Sequence, residues 1–133
     1  MENPHINILV VDDEEIMRTL FTDILQDEGY RVTTVSNGKE AQEIVKGEEF
    51  NIAFLDVHMP VMDGIKTMQI LKEISPNTQI VMMDSMPTYM LEETKKIGAV
   101  TCIHKPFNIK EVKSVVSEII NKFLNKGEKD GGR

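Results

Sequence analysis

Residues 6–13, INILVVDD, decide the fold, because an apolar run ends there in two carboxylates. Short continuous apolar runs are typical of strands that are buried on both faces of a parallel sheet. Residues 14–28 then carry apolar side chains at helical spacing, namely Ile16, Leu20, Ile24 and Leu25. Gly29 follows them and, since glycine accepts a positive φ, it marks the end of the helix. This stretch predicts one strand followed by one amphipathic helix.

The same strand–helix pattern recurs through the rest of the chain. Further strands are predicted at residues 31–35, 51–55, 79–83 and 100–103. Further helices are predicted at residues 39–46, 65–74, 87–97 and 109–123, the last with a long apolar stripe from Ile109 to Phe123. Parallel strands need crossover connections of this length, and such crossovers are almost always right-handed. The order of elements predicts an α/β fold, a doubly wound (βα)5 three-layer sandwich around a parallel five-stranded sheet.

The size and composition of the chain fit a single globular domain. With 133 residues it is long enough for one hydrophobic core and too short for two ordinary domains. We expect residues 1–124 to form that domain and the polar, glycine-rich residues 125–133 to form a disordered tail or the start of a linker. The single cysteine, Cys102, excludes an internal disulfide and cannot by itself build a thiolate metal site.

The charge balance argues against two classes of partner. Lys and Arg number 15 against 22 Asp and Glu, which gives a formal net charge of −7. Nucleic acids and anionic membranes bind to positive surfaces, so we expect neither as a partner of this domain. No apolar run approaches the roughly 20 residues that span a bilayer, and residues 1–5 do not resemble a signal peptide. These features predict a cytoplasmic protein.

Charged residues follow four of the five predicted strands. Asp12 and Asp13 follow the first strand, Asp56 the third, Asp84 the fourth and Lys105 the fifth. In a parallel sheet the carboxyl ends of the strands share one edge, where ligands bind. Carboxylates brought together there repel one another unless a cation compensates their charge. The sequence therefore predicts an Mg²⁺ site at this edge, with Lys105 as a second positive charge.

In this order, these residues resemble the motifs of response-regulator receiver domains of bacterial two-component signalling. The resemblance covers about residues 5–124 and rests on Asp12-Asp13, Asp56, Met59-Pro60 with Asp63-Gly64, and Lys105-Pro106-Phe107. It implies a flavodoxin-like sheet with strand order 2-1-3-4-5, as in the chemotaxis member of the family. The implied function is that of a phosphoacceptor in a phosphorelay, not that of an enzyme.

The resemblance also implies a role for each site residue. Asp56 would be the phosphoacceptor, attacking a phosphohistidine or a small phosphodonor. Asp13 and Asp56 would bind Mg²⁺ through their side chains, and the backbone carbonyl of His58 would be the third protein ligand. Asp12 would lie near the ion, often with a water molecule between them. Lys105 would pair with Asp56 and then with the phosphoryl group, and its peptide bond to Pro106 would be cis.

Two positions depart from the family pattern. A Thr or Ser usually ends the fourth strand, but the spacing from Asp56 places Asp84 there, followed by Ser85. An ionised carboxylate cannot donate a hydrogen bond to a phosphoryl group and would repel it. Ser85 takes the role only if the strand end bulges. We favour Asp84 lining the site, where it would weaken switching or strengthen cation binding. A third interpretation makes Asp84 an exposed loop acid.

Cys102 stands at the position of the family's switch aromatic, and we interpret it as a small core residue.

These observations leave two function classes. The first is an Mg²⁺-dependent phosphoacceptor that receives its phosphoryl group from a sensor histidine kinase or histidine phosphotransferase, with a phosphatase or an output protein as a further partner. The alternative is a receiver-like interaction module in which Asp84 weakens or abolishes phosphorylation-driven switching. A phosphohydrolase is disfavoured, because residues 56–60 lack the second acid of Asp-x-Asp-x-Thr.

The resemblance also indicates two interaction surfaces. In the family, the fourth helix, fifth strand and fifth helix form the usual docking and dimer face. The first helix usually faces the histidine-bearing partner, and here Met17 and Phe21 are candidates for apolar contacts with it.

Overall fold

The computed structural model of the protein describes residues 6–57, 62–84 and 95–124. Five parallel strands form one sheet in the order β2-β1-β3-β4-β5. The strands are β1 (Asn7–Val11), β2 (Arg31–Val35), β3 (Ile52–Asp56), β4 (Gln79–Asp84) and β5 (Thr101–His104). The predicted α/β fold and strand order 2-1-3-4-5 are therefore confirmed.

Helices cover both faces of this sheet. They are α1 (Glu15–Asp27), α2 (Gly38–Val45), α3 (Gly64–Ile74) and the C-terminal helix (Ile109–Ile119), which continues as a π-helix (Ile120–Leu124). The helix predicted at residues 87–97 lies largely outside the described residues, as does the predicted tail. Within the described ranges, no helix combines the length and apolarity needed to cross a bilayer.

The core consists of two layers separated by the sheet. Strand side chains alternate between the faces, so Ile8 and Val10 of β1 pack into one layer and Leu9 and Val11 into the other. The first layer receives the buried residues of α1 and the C-terminal helix, and the second those of α2 and α3. Because both faces are covered, the strands are apolar along their length, which is the pattern seen in residues 6–11.

Three residues placed on apolar helix faces are exposed instead. Ile16 in the first turn of α1 is 80% exposed, and Ile109 and Phe123 at the two ends of the C-terminal stripe are 51% and 47% exposed. Helical spacing identifies which side of a helix is apolar, but the terminal turns of a helix can extend past the sheet that covers its middle. These ends of the apolar stripes are therefore exposed, although the helical spacing itself is as predicted.

Glycines and a capping side chain mark the ends of the helices, and Gly29 follows α1 as predicted. Gly29 and Gly98 have φ values of 93° and 128°, in the region that favours glycine. The side chain of Asp63 accepts a hydrogen bond from the backbone amide of Lys66 at 2.8 Å and caps α3. Asp63 is thus the N-cap of α3.

Candidate functional site

Asp12, directly after β1, has each of its four polar atoms in a hydrogen bond. Its backbone amide donates to the carbonyl oxygen of Val35 at 3.2 Å, and its carbonyl oxygen accepts from Nη1 of Arg18 at 2.8 Å. Its Oδ1 accepts from the backbone amide of Glu14 at 2.9 Å, and its Oδ2 accepts from Nζ of Lys105 at 3.0 Å. The residue is fully buried. These bonds fix Asp12 at the carboxyl edge of the sheet and make it the main anchor of Lys105.

Lys105 is the cation that joins three acidic residues at this edge. Its Nζ lies 3.0 Å from Asp12 Oδ2, 3.3 Å from Asp56 Oδ2 and 3.5 Å from Glu14 Oε1. Burial lowers the pKa of Lys105, but the hydrogen bonds and charges of Asp12 and Asp56 outweigh it and hold that pKa above its ordinary value. The lysine is therefore a fixed positive charge at the carboxylate of Asp56.

The backbone around Lys105 explains how it reaches these acids. Its amide donates a 2.7 Å hydrogen bond to the carbonyl oxygen of Asp84, at the end of the neighbouring strand β4. The Lys105-Pro106 peptide bond is cis, as the resemblance implied. The ring of Phe107 then packs edge-on against that of Phe21 on α1, with centroids 5.4 Å apart. The lysine is thus held between a strand end and an aromatic contact.

Asp56 is the last residue of β3 and is almost completely buried. The turn after it is fixed because Val57 donates to the carbonyl of Met83 and accepts from the amide of Gly64, both at 2.9 Å. A Cβ atom at Gly64 would collide with the carbonyl oxygen of Asp56 and would lie 2.6 Å from Cα of Val57. The absence of a side chain at Gly64 therefore lets α3 begin directly against the Asp56 backbone.

The acidic residues of this edge are suited to hold a cation. Asp12, Asp13 and Asp56 each offer a carboxylate oxygen, and these oxygens all lie within 4.8 Å of one another. Oxygen donors in such a group match Mg²⁺, which prefers carboxylates and water to nitrogen or sulfur ligands. Asp13 is exposed, so an ion can reach the group from solvent. The residues present therefore fit the predicted ion.

The structure brings together Asp12, Asp13, Asp56 and Lys105, as the sequence predicted. Ser85 and His58 lie outside the described residues. The sequence did not indicate that Arg18 binds the carbonyl of Asp12, or that Glu14 lies near Lys105. Glu14 directly follows the acidic pair, so its position gave a signal, whereas the reach of Arg18 depends on how α1 packs.

Asp84 lies at the same edge but in a different environment. It is 1% exposed, so the interpretation of Asp84 as an exposed loop acid was wrong. The thiol of Cys102, nearby on β5, has its pKa raised to about 11, first by burial and second by the charge of Asp84. A thiol with such a pKa is protonated near neutral pH, which fits a core residue and not a nucleophile.

Comparisons with known proteins agree with this geometry. The chain is 34% identical over 114 residues to sporulation initiation phosphotransferase F of Bacillus subtilis, covering 85% of this chain and 92% of that protein. It is 36% identical over 120 residues to chemotaxis protein CheY of the same organism, covering 89% and 97% of the two chains. Some curated relatives are longer, and the chain spans 27% and 34% of two of them.

A solved structure with the same fold is the response regulator TrrA of Thermotoga maritima in complex with Mg²⁺–BeF. It superposes with a TM-score of 0.77 at 29% identity, covering 86% of this chain and 98% of TrrA. The family model of the response regulator receiver domain matches residues 8–117, which include each described residue of the acidic edge. Strand order, the acidic group and its lysine therefore agree with the family match, and the chain belongs to the response regulator receiver domains of two-component signalling.

Proposed function

We propose that this receiver domain accepts a phosphoryl group on Asp56. The observation that carries the proposal is the 3.3 Å contact between Asp56 Oδ2 and Nζ of Lys105, within a group of carboxylates that fits a divalent cation. A carboxylate attacks an anionic phosphoryl group only when the charge that develops on the phosphoryl oxygens is neutralised. The lysine supplies one positive charge at the required place.

In the proposed step, a carboxylate oxygen of Asp56 forms a bond to phosphorus while the bond from phosphorus to the donor breaks. The donor is a phosphohistidine protonated on its other ring nitrogen, which leaves as neutral imidazole, or a small acyl phosphate, which leaves as a carboxylate. The electron pair of the broken bond departs with the donor, and Asp56 becomes an acyl phosphate. Lys105 keeps its proton throughout and exchanges contact with the Asp56 oxygen for contact with a phosphoryl oxygen.

Mg²⁺ would be held by Asp13 and Asp56, with Asp12 beside it. When bound, it supplies positive charge that neutralises the phosphoryl oxygens. Each carboxylate oxygen of Asp12 accepts one hydrogen bond, from the Glu14 amide or the Lys105 ammonium, and keeps a further lone pair that can face the ion directly or through a water molecule. The carbonyl of His58 remains part of the proposal from the family resemblance.

The proposed partners are a sensor histidine kinase or histidine phosphotransferase as donor, and a phosphatase or output protein. The proposal includes a cytoplasmic location and a dimer through the face that contains β5. On α1, Phe21 is fully buried against Phe54 and Phe107 and cannot contact a partner, which corrects its assignment to the docking face. Ile16, which is exposed in the first turn of the same helix, replaces it as the apolar candidate beside the acidic edge.

Incubation with acetyl phosphate and Mg²⁺, followed by intact mass measurement, tests this function. We expect one phosphoryl adduct on the wild-type chain and none on Asp56→Asn, which keeps the shape of the side chain but not its nucleophile. An adduct of equal extent on both proteins, or no adduct with any donor, contradicts the proposal. The comparisons give no specific support to the alternative of an interaction module, which predicts partner binding that Asp56→Asn leaves unchanged.

A further inference from the structure

Asp84 is a buried acid beside Asp56 to which the proposed phosphoacceptor chemistry assigns no role. It is the last residue of β4, and its Cα partner on β5 is His104. The preceding residue, Met83, is the Cα partner of Asp56 on β3. Neighbouring strands lie about 4.8 Å apart. The backbone of Asp84 therefore lies one residue beyond the position directly beside Asp56.

Regular strand alternation assigns the side chain of Asp84 to the face of the sheet opposite that of Asp56, which is at odds with the favoured expectation that Asp84 lines the site. Met83 packs in the core layer that contains α1, and Met82 packs in the layer that contains α2 and α3. Since successive strand side chains alternate, Asp84 shares the face of Met82. Accordingly, the group of described carboxylates that can share one cation does not include Asp84. Asp84 thus adds negative charge to this edge without being a ligand of the predicted ion.

The burial of Asp84 lets its charge act on neighbours more strongly than it would in water. On the same face of the sheet, burial and then the charge of Asp84 raise the pKa of the Cys102 thiol. An aspartyl phosphate carries about two negative charges near neutral pH where the aspartate carried one. Phosphorylation of Asp56 therefore places additional negative charge close to a buried acid that has no hydrogen atom to share when ionised.

We propose that Asp84 lowers the fraction of Asp56 that carries a phosphoryl group, because its charge opposes the charge gained on phosphorylation. This proposal rests on the phosphoacceptor function and concerns the stability of the acyl phosphate formed on Asp56. The same charge attracts a divalent cation at this edge. Removing it therefore has opposite effects on two ligands of one site, weakening the binding of Mg²⁺ and strengthening that of an anionic phosphoryl group.

The test measures two affinities that should change in opposite directions when the charge of Asp84 is removed, one for Mg²⁺ alone and one for beryllofluoride. Beryllofluoride at saturating Mg²⁺ reproduces the shape and charge of the phosphoryl group without chemistry. In Asp84→Asn, which removes the charge and keeps the size, we expect beryllofluoride to bind about tenfold more tightly and Mg²⁺ alone about threefold more weakly. In Asp84→Thr we expect the same two shifts, because this substitution also removes the charge.

The matched control is Asp27→Asn, which changes the net charge equally at an exposed residue of α1 far along the helix from the acidic edge. We expect both affinities of this variant to stay within about twofold of the wild type, because exposed distant charges are screened. Isothermal titration calorimetry measures both ligands, and thermal unfolding verifies that each variant is folded. If Asp84→Asn does not fold, Asp84→Thr provides the same comparison.

Three results overturn the proposal. The first is an unchanged beryllofluoride affinity in both Asp84 variants, and the second is a shift of both ligands in the same direction, which indicates structural damage. The third is failure of every variant, including the wild type, to bind beryllofluoride or accept a phosphoryl group, which also removes the phosphoacceptor function. The proposed function survives the first two results, so the two failures are distinguishable.

Discussion

The ammonium group of Lys105 lies closer to Asp12 than to Asp56, at 3.0 Å against 3.3 Å. The Asp12 side chain is fully buried and that of Lys105 is 18% exposed, so this ion pair is largely shielded from solvent. A shielded ion pair that is lost by removing one partner leaves the other charge poorly compensated. Asp12 therefore has a structural role as well as its proposed role near the cation.

The first prediction concerns this ion pair. Replacement Asp12→Ala removes acceptors for the Lys105 ammonium and for the amide of Glu14. We expect the free energy of unfolding to fall by about 3 kcal/mol, as measured by urea denaturation. Glu15→Ala, which removes an exposed carboxylate from the first turn of α1, serves as the control and should change stability by less than about 1 kcal/mol. Equal effects of the two substitutions contradict the buried role of Asp12.

The second prediction concerns the close approach of α3 to Asp56. In Gly64→Ala the new methyl group would collide with the carbonyl of Asp56, so the helix start or the strand end must move. We expect a loss of about 2 kcal/mol in unfolding free energy and weaker Mg²⁺ binding, because Asp56 is displaced. Gly47→Ala is the matched control, since a Cβ there meets nothing within 4 Å. Calorimetric titration measures the Mg²⁺ affinity of both variants. An unchanged affinity in Gly64→Ala contradicts the prediction that the displacement of Asp56 weakens Mg²⁺ binding.

The third prediction concerns Arg18, whose Nη1 holds the carbonyl of Asp12 at 2.8 Å. Replacement Arg18→Gln loses this bond, so the backbone that presents Asp12 and Asp13 becomes less well fixed. We expect Mg²⁺ affinity to fall several-fold, although removing a positive charge alone would raise it. Arg31→Gln removes the same charge from an exposed position on β2 and should leave affinity unchanged or slightly higher. If both variants bind Mg²⁺ more tightly, charge outweighs positioning and the role assigned to Arg18 is wrong.

The fourth prediction concerns the pH dependence of Cys102. Burial, followed by the charge of Asp84, raises the pKa of its thiol from 9.0 to about 11. The folded state therefore favours the protonated thiol, so iodoacetamide should label it about 100-fold more slowly near pH 7.5 than an unfolded control. Labelling should accelerate as the pH approaches 11 and should be faster in Asp84→Asn. Rapid labelling of the folded protein at neutral pH is incompatible with this environment.

The same shift affects stability in a defined direction. Because the folded pKa is raised above the unfolded value, the stabilisation from Cys102 is complete below about pH 9 and is lost as the pH rises through about 11. Cys102→Ala removes this dependence. Comparing the unfolding free energies of the two proteins between pH 8 and 10.5 isolates the contribution of the thiol from that of the lysines and tyrosines, which titrate in both.

The fold and most of the acidic edge were predictable because they depend on local pattern. The apolar runs fix the strands, and the parallel connections bring Asp12 and Asp56 to one edge whatever the packing details. The exposure of Ile16 was not predictable, because it depends on how far α1 extends past the sheet. The bond from Arg18 to Asp12 was also hidden, since a long side chain reaches backbone groups that no sequence spacing reveals.

Asp84 shows a further limit of sequence reasoning. The spacing from Asp56 placed it at the strand end correctly, and its burial follows from that position. Which face its side chain occupies depended on whether the strand remained regular to its last residue. Because β4 includes Asp84 without a break in the described register, alternation assigns it to the face of Met82.

The main chain and the side chain of residue 84 have separate roles, because the Lys105 amide donates its hydrogen bond to the Asp84 carbonyl and not to the Asp84 carboxylate. The main chain aligns the lysine, and every amino acid has the carbonyl that this requires. The side chain can therefore be exchanged without losing that alignment. For protein engineering, residue 84 is therefore a position at which a substitution can tune how much of the domain stays phosphorylated, while Lys105 remains aligned with Asp56.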